Sequence, residues 1–267
     1  MLAHSWAKEK NPPPFPLYAQ PKLDGCRALM QDGLMWSRGG KPFHPVIVGH
    51  LCFDTAAVIL DGELMLPHLD YTFQDTMRAI KKFRPVSPLL EYHVYDCILP
   101  DWPEAPFNER RLALFGILAA TPALVLPVTT ASVGNDADVA EWHAYFTHPD
   151  QGYEGAILRD PGSLYTPGHR SHGLLKHKDM QDAEFEIVGV GEGVGKFVGV
   201  IMFTCVTLGG ATFECGLKDS LDNRRAMYER RAEYLGQWLT VRYQNLTDDG
   251  LPRFPVGISI RDGALQG

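Results

Sequence analysis

The stretch Lys22-Leu23-Asp24-Gly25-Cys26-Arg27 follows residues 17–20, a short apolar run that reads as a strand. A lysine at a strand end, beside a glycine that lets a phosphate approach, is placed to act as a nucleophile. Its amine attacks only after losing a proton, and cationic neighbours ease that loss; Arg27 is one such neighbour in sequence. An Asp-Gly pair is also a hairpin signal, under which Lys22 is a surface residue before a tight turn. The six residues alone leave both readings open, and the residues downstream change the balance.

Outward from this stretch, β-like runs alternate with helical patterns. Residues 26–31, 34–37, 58–65, 92–99 and 155–159 read as strands, and 73–82, 109–119 and 137–146 as helices. Asn11-Pro12-Pro13-Pro14-Phe15-Pro16 is a stiff, extended lead-in, because proline fixes φ and disfavours helix before it. The expectation is an α+β domain over residues 1–180. Near Asp179-Met180-Gln181-Asp182 the texture changes. Strands are expected at 185–190, 200–208, 211–215, 239–244 and 254–260, with one helix near 223–234. Five short strands and a helix over residues 181–267 suit an OB-type β-barrel; a sandwich fits the strand count too.

Composition is that of an ordinary globular chain: 267 residues, 45% hydrophobic and 21% charged. No apolar run approaches the roughly 20 residues of a membrane span, and the first ten residues lack the apolar core of a signal peptide. The expectation is a cytoplasmic protein that does not engage membranes. Five cysteines without a CxxC pair read as buried free thiols, and Cys205 and Cys215 could face each other across a hairpin. The net charge of −7 argues against a nucleic-acid partner as a sum, but its distribution is uneven. Residues 91–160 hold eleven acids and three bases, whereas residues 1–90 hold eight acids and ten bases. A basic face beside an acidic back allows modest, salt-sensitive binding to nucleic acid.

The downstream residues carry a resemblance. Lys22 to Arg27 matches KxDGxR; Ser37-Arg38-Gly39-Gly40 matches SRxG; Asp61-Gly62-Glu63 supplies a DGE element. Tyr95-Asp96 fits an aromatic before an acid on a strand. Glu154-Gly155-Ala156-Ile157-Leu158-Arg159 matches EGxxxR, and Leu174 or Leu175 leads into Lys176-His177-Lys178 as LxKxK. Tyr165, Gly168, Arg170 and Ser171 fit the segment before that last pair of lysines. In order and approximate spacing the chain resembles the lysine nucleotidyltransferases, and among them the short ATP-dependent DNA ligases of phage and bacteria. Further on, Gly193-Val194-Gly195-Lys196-Phe197-Val198-Gly199 resembles the basic, glycine-rich first hairpin of a ligase OB domain. Leu251-Pro252-Arg253-Phe254-Pro255 leads to Ile260-Arg261-Asp262, where the family carries RxDK. Here Arg261 fits, but the spacing to Asp262 is tighter and the lysine is missing.

The resemblance implies a nucleotidyltransferase (adenylation) domain followed by an OB-fold domain. It makes Lys22 the residue that takes AMP from ATP. Gln20 and Tyr95 would contact adenine, the latter by stacking. Arg27 would belong to the same nucleotide site, Arg38, Arg170, Lys176 and Lys178 would neutralise phosphate charge, and Arg261 would meet the leaving pyrophosphate. Glu63 and Glu154 would hold Mg²⁺, with Mn²⁺ as a substitute, as hard cations prefer oxygen. The implied substrate is nicked double-stranded DNA, handled by a monomer in a bacterial or phage-infected cell during replication, repair or recombination. With 21 residues before Lys22, the expectation is a two-domain clamp without a separate DNA-binding domain. Two other readings stay open: an RNA ligase or capping-type nucleotidyltransferase, and a catalytically inactive OB-containing DNA-binding module.

Overall fold

The computed structural model describes residues 1–247 and 249–261. The chain divides into two compact units, residues 1–178 and 179–267.

The first unit is built on two five-stranded sheets. Its strands are β1 (Leu2–Ser5), β2 (Leu17–Pro21), β3 (Cys26–Gln31), β4 (Leu34–Ser37), β5 (Ile59–Met65), β6 (Glu91–Ile98), β7 (Val125–Pro127), β8 (Ala131–Val133), β9 (Ala156–Arg159) and β10 (Arg170–His177). One sheet has the order β1-β10-β9-β2-β8 and the other β4-β3-β5-β6-β7. Alternating burial explains the inner strands: in β3, Ala28 and Met30 are buried while Gln31 faces out. The β3–β7 sheet buries Leu60, Leu64, Tyr92 and Val94 in one apolar cluster. The other sheet buries Leu17, Ala19, Leu158 and Leu175 in a second.

Four α-helices accompany these sheets: the single-turn α1 (Pro45–Val48), α2 (Phe73–Lys81), α3 (Phe107–Leu118) and α4 (Asp136–Thr147). Helix α2 starts where Thr72 and Asp75 form a reciprocal capping box that satisfies two otherwise orphaned amides. Asn135 caps α4 by accepting from the Asp138 amide. Strands β1, β7, β8 and β10 have no counterpart in the sequence expectation. β1, β7 and β8 are three or four residues long, too short for alternation to register, whereas the eight-residue β10 enters it only as motif residues.

The second unit contains β11 (Gln181–Glu192), β12 (Ile201–Val206), β13 (Thr212–Cys215), α5 (Leu221–Glu229), β14 (Trp238–Tyr243) and β15 (Val256–Arg261). The strand order is β13-β12-β11-β14-β15. The ends of that order approach each other beyond β13, where Leu217 forms a parallel bridge with Gly257 of β15. The Lys218 amide donates to the Gly257 carbonyl at 2.7 Å, and the Gly257 amide to the Gly216 carbonyl at 2.9 Å. This is the arrangement of an OB-type barrel rather than a sandwich. The expected single helix over 223–234 is instead α5 followed by a short 3₁₀ turn, Arg231–Tyr234.

All five cysteines are free; Cys97, Cys205 and Cys215 are buried, but Cys26 and Cys52 are only half-buried, correcting that part of the expectation. Among the described residues no helix is long and apolar enough to cross a membrane.

Candidate active site

Lys22 sits where the chain passes from one sheet of the first unit to the other, between the end of β2 and the start of β3. Its amide donates to the Gly155 carbonyl at 2.8 Å, and its carbonyl accepts from the Glu154 amide at 3.1 Å. Two motifs more than a hundred residues apart are thus locked together through main chain. The glycine after Asp24 is required sterically. A Cβ on Gly25 would lie 2.5 Å from the Leu64 carbonyl oxygen and 2.8 Å from Cγ of Glu63. Gly155 has φ +153°, and a Cβ there would strike the His177 carbonyl.

The side chains converge as well. Lys22 Nζ contacts Glu154 Oε2, and Lys178 Nζ lies 3.6 Å from Glu154 Oε1. Burial, with the Lys22 charge adding to it, lowers the proton affinity of Lys178, while Glu154 opposes the shift. Gln20, Lys22, Arg27, Arg38, Glu63 and Tyr95 line one cavity of about 310 Å³, with Asp61, Arg159 and Leu174 among its other walls. That volume suits a small organic ligand, for which pockets of about 300–1,000 Å³ are usual.

A polar network forms the floor. Arg159 Nη1 donates to Asp96 Oδ2 at 2.7 Å, and Arg110 reaches the same carboxylate through Nε at 2.8 Å and Nη2 at 3.1 Å. Arg159 Nε donates to Gln20 Oε1 at 2.6 Å, and Gln20 Nε2 donates to Thr130 Oγ1 at 2.9 Å. Asp96 belongs to β6 and Arg159 to β9, so the network ties the two sheets together. The Arg159 guanidinium also lies 5.3 Å from the centre of the Tyr95 ring.

The wall is a second network. Arg27 Nε and Nη2 donate to the two Asp61 oxygens at 2.8 and 2.6 Å. Tyr165 and Tyr95 donate their hydroxyls to Asp61 at 2.7 and 3.2 Å. Burial first, then Asp61, holds the Tyr95 hydroxyl proton well above the usual phenol range. Arg27 is therefore no simple source of positive field for Lys22: its charge is paired with Asp61. Lys178, which shares the Glu154 carboxylate with Lys22, is a cation that the ion pairs place beside it.

Glu63 is the group whose chemistry points to a cation. Burial, reinforced by Asp61, pushes its pKa up to about 8, with Lys22 and Arg27 pulling the other way. A carboxyl short of positive partners and open to a cavity fits a hard divalent ion. Glu154 differs, since ammonium groups already engage it.

Five expected residues are not part of the cavity lining: Glu154 and Lys178 join it only through Lys22, and Arg170, Lys176 and Arg261 stand apart. Arg170 is exposed on β10 and donates to the Ala3 carbonyl at 2.7 Å. Lys176 is half-buried on the same strand. Arg261 lies on β15 of the second unit and pairs with Glu184 at 3.4 Å. Asp262 lies outside the described residues. Conversely, Asp61, Arg159 and residues 1–3 line the cavity although the expectation gave them no role there. Asp61 and Arg159 lie inside the quoted motifs; nothing in the first five residues marks them as a strand.

The family profile for the ATP dependent DNA ligase domain matches residues 1–178, and that for the DNA ligase OB-like domain matches residues 192–261. A DNA ligase of African swine fever virus (isolate Warthog/Namibia/Wart80/1980) is 29% identical over 269 residues, covering 91% of this chain and 63% of its own length. The chain thus spans somewhat under two thirds of that viral relative. A solved structure described as Chlorella virus DNA ligase-adenylate is 26% identical, with a TM-score of 0.55 and coverage of 97% of this chain and 98% of that one. A structure from a structure–function study of Lig E DNA ligases and their DNA binding with a minimal scaffold shares the fold. Its TM-score is 0.79 at 22% identity, covering 97% of this chain and 98% of that one. The matched domain takes in the strand-crossing lysine, the cavity and both polar networks, and on that match the chain belongs to the ATP-dependent DNA ligase family.

Proposed function

We propose that this chain seals nicks with a 5′-phosphate and a 3′-hydroxyl in duplex DNA, using ATP and a covalent AMP on Lys22. The observation that carries this reading is the placement of Lys22: main chain clamped to Glu154-Gly155, Nζ against Glu154, on the wall of a nucleotide-sized cavity. The first unit is the adenylation domain and the second the OB domain.

In the first step the Lys22 nitrogen attacks the α-phosphorus of ATP. The bond to the β-phosphate breaks and pyrophosphate leaves. Nζ gives up two protons in all, one before attack to become the neutral amine and one from the P–N adduct, and Glu154, the group that touches it, relays them to solvent. The phosphoramidate nitrogen carries no positive charge, so its pairing with Glu154 lapses and leaves that carboxylate to Lys178 and to a cation. AMP then moves to the 5′-phosphate of the nick. Finally the 3′-hydroxyl attacks that phosphate, AMP departs and the strand is joined. These are phosphoryl transfers, in which alignment and charge neutralisation dominate. Glu63 and Glu154 are the residues that would hold Mg²⁺, or Mn²⁺ in its place, which supplies neutralisation of phosphate charge. Tyr95 and Gln20 border the space for adenine. Both Gln20 side-chain atoms are already hydrogen-bonded, so it acts by bracing Arg159 as much as by touching the base.

The test is incubation with α-labelled ATP and Mg²⁺, a denaturing gel, and a chase with nicked DNA or nicked RNA. A labelled band that is absent from Lys22→Ala and discharges into sealed DNA is expected. Discharge only into RNA would favour an RNA ligase. A band retained by Lys22→Ala would move the nucleophile elsewhere, and no band in the parent would leave a DNA-binding module.

A further inference from the structure

A cluster on the outer edge of the first unit has no part in the chemistry above. His4 on the edge strand β1 stacks on His172 of β10, with ring centres 4.5 Å apart and planes 14° from parallel. His172 Nδ1 lies 3.0 Å from Glu9 Oε2, just after the 3₁₀ turn that ends β1. One donor atom from each of the three residues lies within 4.8 Å of the others. The ladder explains this convergence. Its register runs from Ala3 opposite Ser171 to His4 opposite Leu175, so a bulge of β10 is set against a single step of β1. Across that bulge Leu174 is buried on the cavity wall, whereas His172 is exposed beside His4.

We propose that His4, Glu9 and His172 form a binding site for a borderline divalent cation of the Zn²⁺ type, which staples β1 to β10. Two imidazoles and one carboxylate, with a fourth position left to water, match the preference of such ions. Mg²⁺ prefers oxygen donors and binds such sets poorly. A tetrahedral zinc ion with bonds of about 2.0–2.1 Å spaces its ligand atoms about 3.3 Å apart. The present separations therefore close by a rotamer adjustment, and His172, with its side chain 73% exposed, is free to make it. The site is remote in chemistry from Glu63 and Glu154 and does not depend on the proposed ligase reaction. Its structural consequence reaches the cavity, because residues 2 and 3 of the stapled strand line that cavity.

The experiment uses the full chain without an affinity tag, first stripped with chelator. Co²⁺ titration followed by visible absorption should show one ion per chain. The near-ultraviolet sulfur-to-metal band that bound cysteine would give should be absent. Zn²⁺ should raise the melting temperature, reversibly with chelator, in the presence of excess Mg²⁺. His172→Ala, a change at an exposed position, should weaken Co²⁺ binding by more than the roughly 10–100-fold that loss of a mere supporting group costs. Glu9→Gln should weaken it as well. Absence of stoichiometric binding would overturn the proposal and leave His172 and Glu9 as a simple ion pair. So would an affinity unchanged in both His172→Ala and His4→Ala, or a thiolate band placing the ion on cysteine.

Discussion

Two regions of the molecule use the same arginine–carboxylate geometry and get different things from it. On the cavity floor Asp96 receives Arg110 and Arg159 at 2.7–3.1 Å, with the three side chains 0%, 1% and 4% exposed. On the barrel, Arg242 grips Asp182 at 2.6 and 2.7 Å, with side chains 44% and 41% exposed. Hydrogen-bond lengths hardly distinguish them; water does. A buried ion pair gains little over an apolar core but becomes expensive once one partner is removed, because the other charge is stranded. An exposed pair loses its partner to solvent at little cost. The first arrangement sets the position of a site; the second decorates a surface.

The contrast breaks most visibly at Asp96. Asp96→Ala strands two buried guanidinium groups and should cost about 3–5 kcal/mol, read as a lowered urea midpoint. A loss below about 1 kcal/mol, the exposed-pair range, would erase the distinction.

Glu63 sharpens it with pH. An unfolded glutamate has its ordinary value of 4.5, whereas in the folded chain the pKa is about 8. Between these values the unfolded state ionises first, so stability falls as pH rises through that window and levels off above it. Glu63→Gln removes the loss. In chelator it should be more stable than the parent by roughly 2–4 kcal/mol above pH 8, since a tenfold difference in proton affinity is worth about 1.4 kcal/mol. Below pH 4.5 the two should be equal. Parallel stability curves for the two proteins would mean that Glu63 is solvated.

The arginines of the two units should divide by reaction step. Arg261→Ala should slow sealing with ATP while still joining a nick that already bears AMP. Arg38→Ala should adenylylate itself better than it joins that nick. Each bias should be roughly ten- to a hundredfold, since a side chain accelerates only the step whose transition state it touches. Equal losses in both assays would refute the division, with thermal melts separating out misfolding. The smallest effect belongs to Asp182→Ala, which should cost about 0.2–1 kcal/mol at low salt and vanish at high salt.

Much of the frame was legible in residue patterns. The limits of β3 and β4 coincide with their periodic runs, and the motif residues Gln20, Lys22, Glu63 and Tyr95 do share one cavity. What escaped was pairing across the fold. Arg110 lies in no motif and looks like any arginine on a helix, yet it is among the most buried large side chains. Asp96 and Arg159 stand in separate motifs whose contact exists only once two sheets meet. The pairing of Arg27 with Asp61, two residues from Glu63, was likewise invisible in the motif spacing. The resemblance makes Arg170 a phosphate ligand, whereas here its guanidinium donates to the Ala3 carbonyl of β1, a contact no motif announces.

The junction at Lys22 has a kinetic reading too. Its amide and that of Glu154 hydrogen-bond each other's loops, at the point where one sheet hands the chain to the other. Neither bond can open without parting β2 from the loop before β9, so the two amides report one event. In hydrogen–deuterium exchange they should lose protection together, at a rate set by cooperative opening of the adenylation domain rather than by fraying of a loop. The Lys22 amide would then double as a gauge of domain integrity, readable without substrate. Independent exchange of the two amides would show that the crossing breathes on its own.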